Sequence, residues 1–134
     1  MSEMLDGAQP VEQWLDQHRD QVAISTLTLA ELKQGIEIKP EGKSRRKLER
    51  DYRFILDDFD GAIWCFDEGA AAEWGRLIGE AYSKKHPVPV IDSLICAITR
   101  SMGAKIVSSD KKGFIGCTRV DPWSGLEYPA WQSA

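Results

Sequence analysis

The sequence contains few cysteines and few histidines. Three cysteines and two histidines occur among 134 residues, and Cys65, Cys96 and Cys117 form no CxxC pair. A sparse, odd set of cysteines argues against both a disulfide framework and a zinc site. We therefore expect free thiols in a reducing cytoplasm, with Cys65 and Cys96 inside apolar runs.

Long apolar runs and a strong basic charge are also lacking. No stretch approaches the roughly 20 apolar residues that span a bilayer, and the first residues lack the basic start and apolar core of an export signal. The net charge of −4 does not indicate a general binder of polyanions, so RNA would have to meet a local basic patch. With 43% apolar residues, the sequence predicts one cytoplasmic globular domain over residues 1–134, without membrane association.

Short apolar runs alternate with segments of helical periodicity. Strands are predicted at 22–25, 62–66, 105–108 and 118–120, helices at 10–18, 29–36, 43–59, 67–81 and 90–102, and a loop from Ser124 onward. Strands separated by helices rather than tight turns indicate crossover connections, and therefore an α/β fold with a parallel sheet covered by helices. The predicted buried faces are Leu29, Leu32 and Ile36; Ala71, Trp74, Leu77, Ile78 and Ala81; and Ile91, Leu94, Ile95, Ile98 and Met102.

Three acidic residues stand out by position: Glu31, Asp92 and Asp110. Ligand sites of parallel sheets collect at the carboxyl ends of strands, and several carboxylates can share a pocket when a hard cation such as Mg²⁺ offsets their repulsion. A cation held in this way can activate water and stabilise charge on a phosphodiester.

Each of these acids also has a structural interpretation. Glu31 could return a hydrogen bond to Thr28 in a capping box. Asp92 could cap an apolar helix or interact with its dipole, although a carboxylate among apolar neighbours needs a partner. Asp110 could close the turn before Gly113. The spacing alone leaves the structural and the metal-binding hypotheses open for all three.

Basic residues give a weaker signal. Arg45 and Arg46 lie in a basic run at 43–50, and Lys111 and Lys112 directly follow Asp110. Arginine and lysine supply the salt-sensitive part of RNA affinity, so all four are candidate RNA contacts. A solvated helix face is the alternative for the run at 43–50.

Four blocks resemble PIN domains, especially VapC-type toxins: STLTLAELKQGI at 25–36, VIDSLICA at 90–97, VSSD at 107–110 with Phe114, and VDPW at 120–123. The resemblance covers nearly the whole chain in order. It implies a three-layer α/β/α sandwich with a central parallel sheet and an endoribonuclease that depends on Mg²⁺ or Mn²⁺. Glu31, Asp92 and Asp110 match the second, third and fourth acidic positions of that family as metal ligands, and Ser108 matches its small hydroxyl residue.

The same resemblance implies an RNA substrate, a cognate antitoxin and a homodimer. PIN domains open with a strand that ends in Asp and is followed by a Ser-Glu pair. This chain begins at what resembles that pair, Ser2-Glu3, so we expect truncation at the N-terminus and loss of the first metal Asp. Asp6 only superficially imitates the lost motif, and Gly113 stands where many relatives have an acid.

These departures define a second hypothesis, a weakened or inactive PIN-like domain that acts through an antitoxin or through self-association. A phosphatase or a receiver domain is a third, but these classes also need an Asp after the first strand and lack the other blocks.

Overall fold

The computed structural model describes residues 13, 14, 16–110 and 112–132. The chain forms two compact units, Met1–Trp64 and Cys65–Ala134, and the prediction of one domain stays a prediction. Ser2, Glu3, Asp6 and residues 10–12 and 15 of the helix predicted at 10–18 lie outside the described residues, and residues 13, 14, 16 and 17 are helical as expected. None of the described helices is long and apolar enough to cross a membrane.

The first unit is an alternation of short strands and helices. A 3₁₀ turn at Arg19–Gln21 precedes β1 (Ile24–Ser25), α1 (Thr26–Glu37), α2 (Lys43–Asp58) and β2 (Ile63–Trp64). β1 and β2 pair in parallel, with Ile24 opposite Ile63. The helices between the two strands form the crossover that parallel pairing requires, as the sequence predicted.

The core of the first unit forms where the helical periodicity predicted it. Leu29 and Leu32 of α1 pack with Ile55, Phe59 and Ile24. Ile36 of α1 is also buried, which confirms the predicted face of this helix. Removing these side chains from water is the main favourable contribution to the stability of this unit.

The second unit contains α3 (Glu68–Ser83), α4 (Val90–Ser101), β3 (Ile106–Val107), β4 (Arg119–Val120) and β5 (Glu127–Tyr128). β3 and β4 are parallel, whereas β4 and β5 are antiparallel. The prediction of a loop from Ser124 onward is therefore wrong at β5. A strand of two residues is too short to produce the alternation of apolar and polar residues that marks a strand in a sequence.

α3 begins as predicted and packs on α4. The Asp67 carboxylate caps α3 by accepting a hydrogen bond of 2.9 Å from the Ala70 backbone N–H. Leu77, Cys96 and Cys117 form the buried cluster of this unit. These contacts join α3, α4 and the segment that precedes β4.

Two details of the predicted helical faces are wrong. On α3, Ala71 is exposed and Ala70 takes the buried position. On α4, Ile91 and Met102 are 41% and 50% exposed, and the buried face includes Ser93 and Cys96 instead. The Ser93 hydroxyl accepts a hydrogen bond from Trp74 Nε1 at 3.0 Å, so a small polar residue lies where the sequence favoured a large apolar one.

Arg100 of α4 connects α3 and the segment that precedes β4 through hydrogen bonds. It donates hydrogen bonds to Glu80 Oε2 at 2.8 Å, to Glu73 Oε2 at 3.2 Å and to the Gly116 carbonyl at 3.2 Å. Glu80 also accepts a hydrogen bond from Trp131 Nε1 at 2.8 Å. The hydrogen bond from Arg100 is the main reason why the pKa of Glu80 lies below its ordinary value.

Candidate functional site

Asp110 lies three residues beyond the end of β3, and its carboxylate closes a turn. Its backbone N–H donates to Ser108 Oγ at 3.0 Å, while its Oδ1 accepts from the backbone N–H groups of Lys112 at 2.9 Å and Gly113 at 3.1 Å. The structural interpretation of Asp110 as a turn residue is therefore confirmed. Because these backbone bonds go to Oδ1, Oδ2 is left for other contacts.

Asp92 lies in the first turn of α4 and does not cap it. The residue at the cap position is Pro89, and no side chain caps this helix end. Asp92 is partly buried, and its pKa is raised above the ordinary value, first by burial and then by the charge of Asp110. The helix dipole favours a carboxylate at this end, whereas burial and the charge of Asp110 oppose its ionisation.

Asp92 and Asp110 approach each other over Gly113. A Cβ atom placed on Gly113 would overlap Oδ2 of Asp92 and would lie 2.9 Å from Oδ2 of Asp110. The absence of a side chain at this buried position thus gives room to one oxygen from each carboxylate. Sequence reasoning identified the two acids from their positions but missed the part that Gly113 plays.

Ser108 and Arg119 stabilise the Asp110 turn through hydrogen bonds. Arg119 on β4 donates from Nη1 to the Ser108 carbonyl at 3.0 Å, and its guanidinium lies 4.5 Å from the centre of the Tyr128 ring. Ser108 in turn accepts the hydrogen bond from the Asp110 N–H. No sequence signal marked Arg119, because its role depends on the pairing of β4 with β3.

Glu31 belongs to the first unit, in the second turn of α1, and its side chain is exposed. The capping-box interpretation of Thr28 and Glu31 is wrong. The cap of α1 is Ser25, whose Oγ accepts the Thr28 N–H at 3.1 Å, so this N–H is already paired with Ser25. Among the three predicted acids, the structure brings Asp92 and Asp110 together within the second unit.

The donor chemistry of Asp92 and Asp110 fits a hard divalent cation. Both supply carboxylate oxygens, and one oxygen of each borders the same space beside Gly113. Mg²⁺ often uses one or two carboxylates and keeps several waters. Within either unit, the described residues contain no group of three or more His, Cys, Asp or Glu side chains arranged to hold a metal ion.

The basic candidates differ in accessibility. Arg45 is largely covered, because Glu37, Glu41 and Glu49 all form ion pairs with it. Arg46 and Lys112 have exposed side chains, and Lys112 lies two residues from Asp110. Lys111 lies outside the described residues. Exposed cations bind phosphate more readily than one already surrounded by carboxylates, so Arg45 is the weakest of these candidates.

The chain matches the PIN domain family over residues 3–115, and it therefore belongs to that family. It is 31% identical over 116 residues to toxin FitB of Neisseria gonorrhoeae, and the match covers 82% of each chain. It is 26% identical over 117 residues to VapC ribonuclease Y4jK of Sinorhizobium fredii, covering 82% of this chain and 81% of that protein.

Two solved structures are also similar to this chain. FitAcB from Neisseria gonorrhoeae matches with a TM-score of 0.78 and 28% identity, covering 86% of both chains. VapBC-5 from Mycobacterium tuberculosis, a member of the VapBC family of toxin–antitoxin systems, matches with a TM-score of 0.60 and 25% identity, covering 69% of this chain and 71% of that one. The α/β PIN fold predicted from the sequence is thus confirmed.

Proposed function

We propose that this chain is a metal-dependent endoribonuclease and the toxin of a type II toxin–antitoxin pair. The observation that carries the proposal is the convergence of Asp92 and Asp110 over Gly113, with the pKa of Asp92 raised by burial and by its neighbour. Two carboxylates that converge in this way, one after strand β3 and one in the first turn of α4, are suited to a cation that binds phosphate. The relatives named as a toxin and as a VapC ribonuclease support the same activity.

Asp92 and Asp110 would hold Mg²⁺ or Mn²⁺, directly or through water, and Glu31 stays a proposed metal ligand on the family resemblance alone. The cation would supply a polarised water and a positive charge beside the scissile phosphodiester. Asp110 would bind through Oδ2, since Oδ1 accepts the backbone N–H groups of its turn. Ser108 would keep that turn in place through its hydrogen bond with the Asp110 N–H.

RNA would be held mainly through its phosphates. Lys112 is exposed and close in sequence to Asp110, and Arg46 is exposed on α2. We propose these two residues, with Lys111, as RNA contacts and assign Arg45 to its three ion pairs instead. Contacts of this kind contribute affinity that falls as salt rises and carry little sequence specificity.

A cognate antitoxin and a second copy of the chain are the proposed protein partners, and the cytoplasm is the proposed location. The solved VapBC-5 structure supports an antitoxin, since it belongs to a family of toxin–antitoxin systems. Exposed apolar side chains of the second unit, including Tyr82 and Val90, would supply contact area for such partners.

One departure from the family pattern, Gly113 in place of an acid, favours the alternative of an inactive PIN-like domain that acts through an antitoxin or through self-association. Such a protein would keep its partner contacts and would bind a divalent cation weakly or not at all. Direct measurement of cation binding therefore separates the two functions.

The test uses the purified full chain with Mn²⁺ and a structured RNA. We expect Mn²⁺ to bind and cleavage to require the cation, with Asp92→Asn lowering the cleavage rate on the order of 100-fold or more, because loss of a ligand exceeds the usual effect of its supporting residues. Asp57→Asn, at an exposed acid of α2, serves as the control and should cleave normally. Absence of both Mn²⁺ binding and RNA cleavage would overturn the enzyme proposal and favour the alternative.

A further inference from the structure

We propose that Gly113 is a positioning residue whose lack of a side chain lets the carboxylates of Asp92 and Asp110 share one cation. This inference rests on the proposed metal-dependent function and identifies a residue on which the cation site depends. A Cβ at position 113 would overlap Oδ2 of Asp92. It would also lie 3.0 Å from Asp92 Cγ and 2.9 Å from Asp110 Oδ2. The space that a Cβ would occupy is thus bordered by the two groups that the cation requires.

The backbone itself does not require glycine at this position. The φ angle of Gly113 lies outside the left-handed region, whereas Gly103 and Gly125, at 63° and 74°, lie within it. Alanine at 113 would therefore meet no conformational penalty. The Gly113 N–H bond to Asp110 Oδ1 is a backbone bond that alanine can also make. The Cβ of alanine at 113 would, however, displace the Asp92 carboxylate from its position.

Gly116, three residues further along, shows the contrasting case. A Cβ there would lie 2.8 to 3.2 Å from the side-chain carbons of Leu77, which is fully buried. Gly116 thus avoids a clash with the core, and replacing it should reduce stability. At Gly113 the obstructing atoms belong to the polar side chains of Asp92 and Asp110, so a Cβ there would displace a carboxylate rather than a core side chain.

The energetic consequence distinguishes a functional from a structural glycine. Without a cation, two carboxylates that border the same space beside Gly113 repel each other. Moving Asp92 away would relieve this repulsion. Alanine at 113 should therefore leave the metal-free protein as stable as the wild type or more so, while weakening cation binding.

The experiment measures Mn²⁺ binding to the full chain by titration, together with thermal unfolding in the presence of a chelator. We expect Gly113→Ala to weaken Mn²⁺ binding about 10- to 100-fold, the range found when groups that orient metal ligands are altered. Its unfolding midpoint in chelator should not fall below that of the wild type. Gly79→Ala is the matched control, since a Cβ on this α3 glycine meets nothing within 4 Å.

Two further variants test whether Gly113 acts through Asp92. In an Asp92→Asn background, Gly113→Ala should cause little further loss of Mn²⁺ affinity, because the carboxylate that it displaces is already gone. Gly113→Asp should also bind Mn²⁺ more weakly than the wild type, although it adds a carboxylate. Tighter binding by Gly113→Asp would overturn the inference, because position 113 would then lack a ligand rather than provide space.

The remaining outcomes are also decisive. Wild-type affinity in Gly113→Ala would overturn the inference and leave the proposed function intact. A large loss of stability of Gly113→Ala in chelator would overturn it too, because the glycine would then be required by the fold. If wild type and Gly79→Ala both fail to bind Mn²⁺, the role assigned to Gly113 is overturned. If they also leave RNA intact, the proposed function is overturned with it.

Discussion

Arg119 and Ser108 are joined by a hydrogen bond of 3.0 Å from a guanidinium nitrogen to a main-chain oxygen. Arg119 is only 4% exposed, and Tyr128 covers its guanidinium. Burying a cation destabilises a protein unless its N–H groups find acceptors, so we expect the Arg119–Ser108 hydrogen bond to be important for stability. The same hydrogen bond connects β4 to the turn that carries Asp110.

We predict that Arg119→Lys lowers the free energy of unfolding by about 1–3 kcal/mol, because an ammonium group cannot reproduce the planar stack on Tyr128 and the directed bond to Ser108. Chemical denaturation would measure the change. Arg76→Lys, at an exposed ion pair with Glu73, is the matched control and should remain close to the wild type. Equal stability of both variants would show that the Arg119 contacts contribute little.

Asp92→Asn should stabilise the metal-free protein at neutral pH. The pKa of Asp92 is raised by burial and by Asp110, so the charged form is disfavoured in the folded state. We expect a gain below about 1 kcal/mol, because solvent screens a partly exposed carboxylate. Thermal unfolding in chelator should show a higher midpoint for Asp92→Asn and no change for Asp57→Asn. A lower midpoint for Asp92→Asn would mean that this carboxylate stabilises the fold.

Glu80 should make the stability of the second unit sensitive to acid. Its pKa is lowered mainly by the hydrogen bond from Arg100, so its contribution is present above the ordinary glutamate pKa of about 4.3 and is lost as the pH falls through the lower, folded-state value. Glu80→Gln should lower the free energy of unfolding by about 0.5–1 kcal/mol near neutral pH, after allowance for solvent screening. Below pH about 5 the free energy of unfolding of this variant should change less with pH than that of the wild type.

Glu127→Gln is the matched control for Glu80, because the pair of Glu127 with Lys105 is exposed on both sides. Its unfolding curve should follow that of the wild type across the same pH series. Parallel profiles for Glu80→Gln and the wild type would contradict the prediction.

One thiol of three should react rapidly in the native protein. Cys65 is exposed, although it lies in an apolar run of the sequence, whereas Cys96 and Cys117 are buried. The pKa of Cys96 is raised by its hydrogen bond with Cys117 and by burial, which keeps this thiol protonated and unreactive. Titration with a chromogenic disulfide should count one fast thiol before denaturation and three after it, with Cys65→Ser removing the fast one. A second fast thiol would contradict the burial of this pair.

The sequence predicted those features that depend on local chemistry. The buried face of α1, the Asp67 cap of α3 and the Asp110 turn all follow from residues within four positions of one another. The grouping of Asp92 with Asp110 was expected from the family resemblance, because Asp92 lies in the first turn of α4 and does not follow a strand. The role of Glu31 stays a prediction.

Other features depend on approach between distant segments, and these the sequence did not predict. α4 carries apolar residues on most of its circumference, so periodicity predicted the helix correctly but wrongly placed Ile91, rather than Ser93, on the buried face. Gly113 and Arg119 act on residues brought near by packing of α4 and pairing of β3 with β4. Neither residue has a local pattern that marks it.

Each strand in the described part of the chain contributes only two residues. Sheets this small protect few amides from exchange with solvent, so the slowest hydrogen exchange should occur in α1 and α4 rather than in the sheets. The turn that carries Asp110 follows such a strand and would open at a low free-energy cost. A cation that binds only the closed turn would then slow this opening in proportion to its occupancy, so amide exchange near β3 would report on the metal without any RNA present.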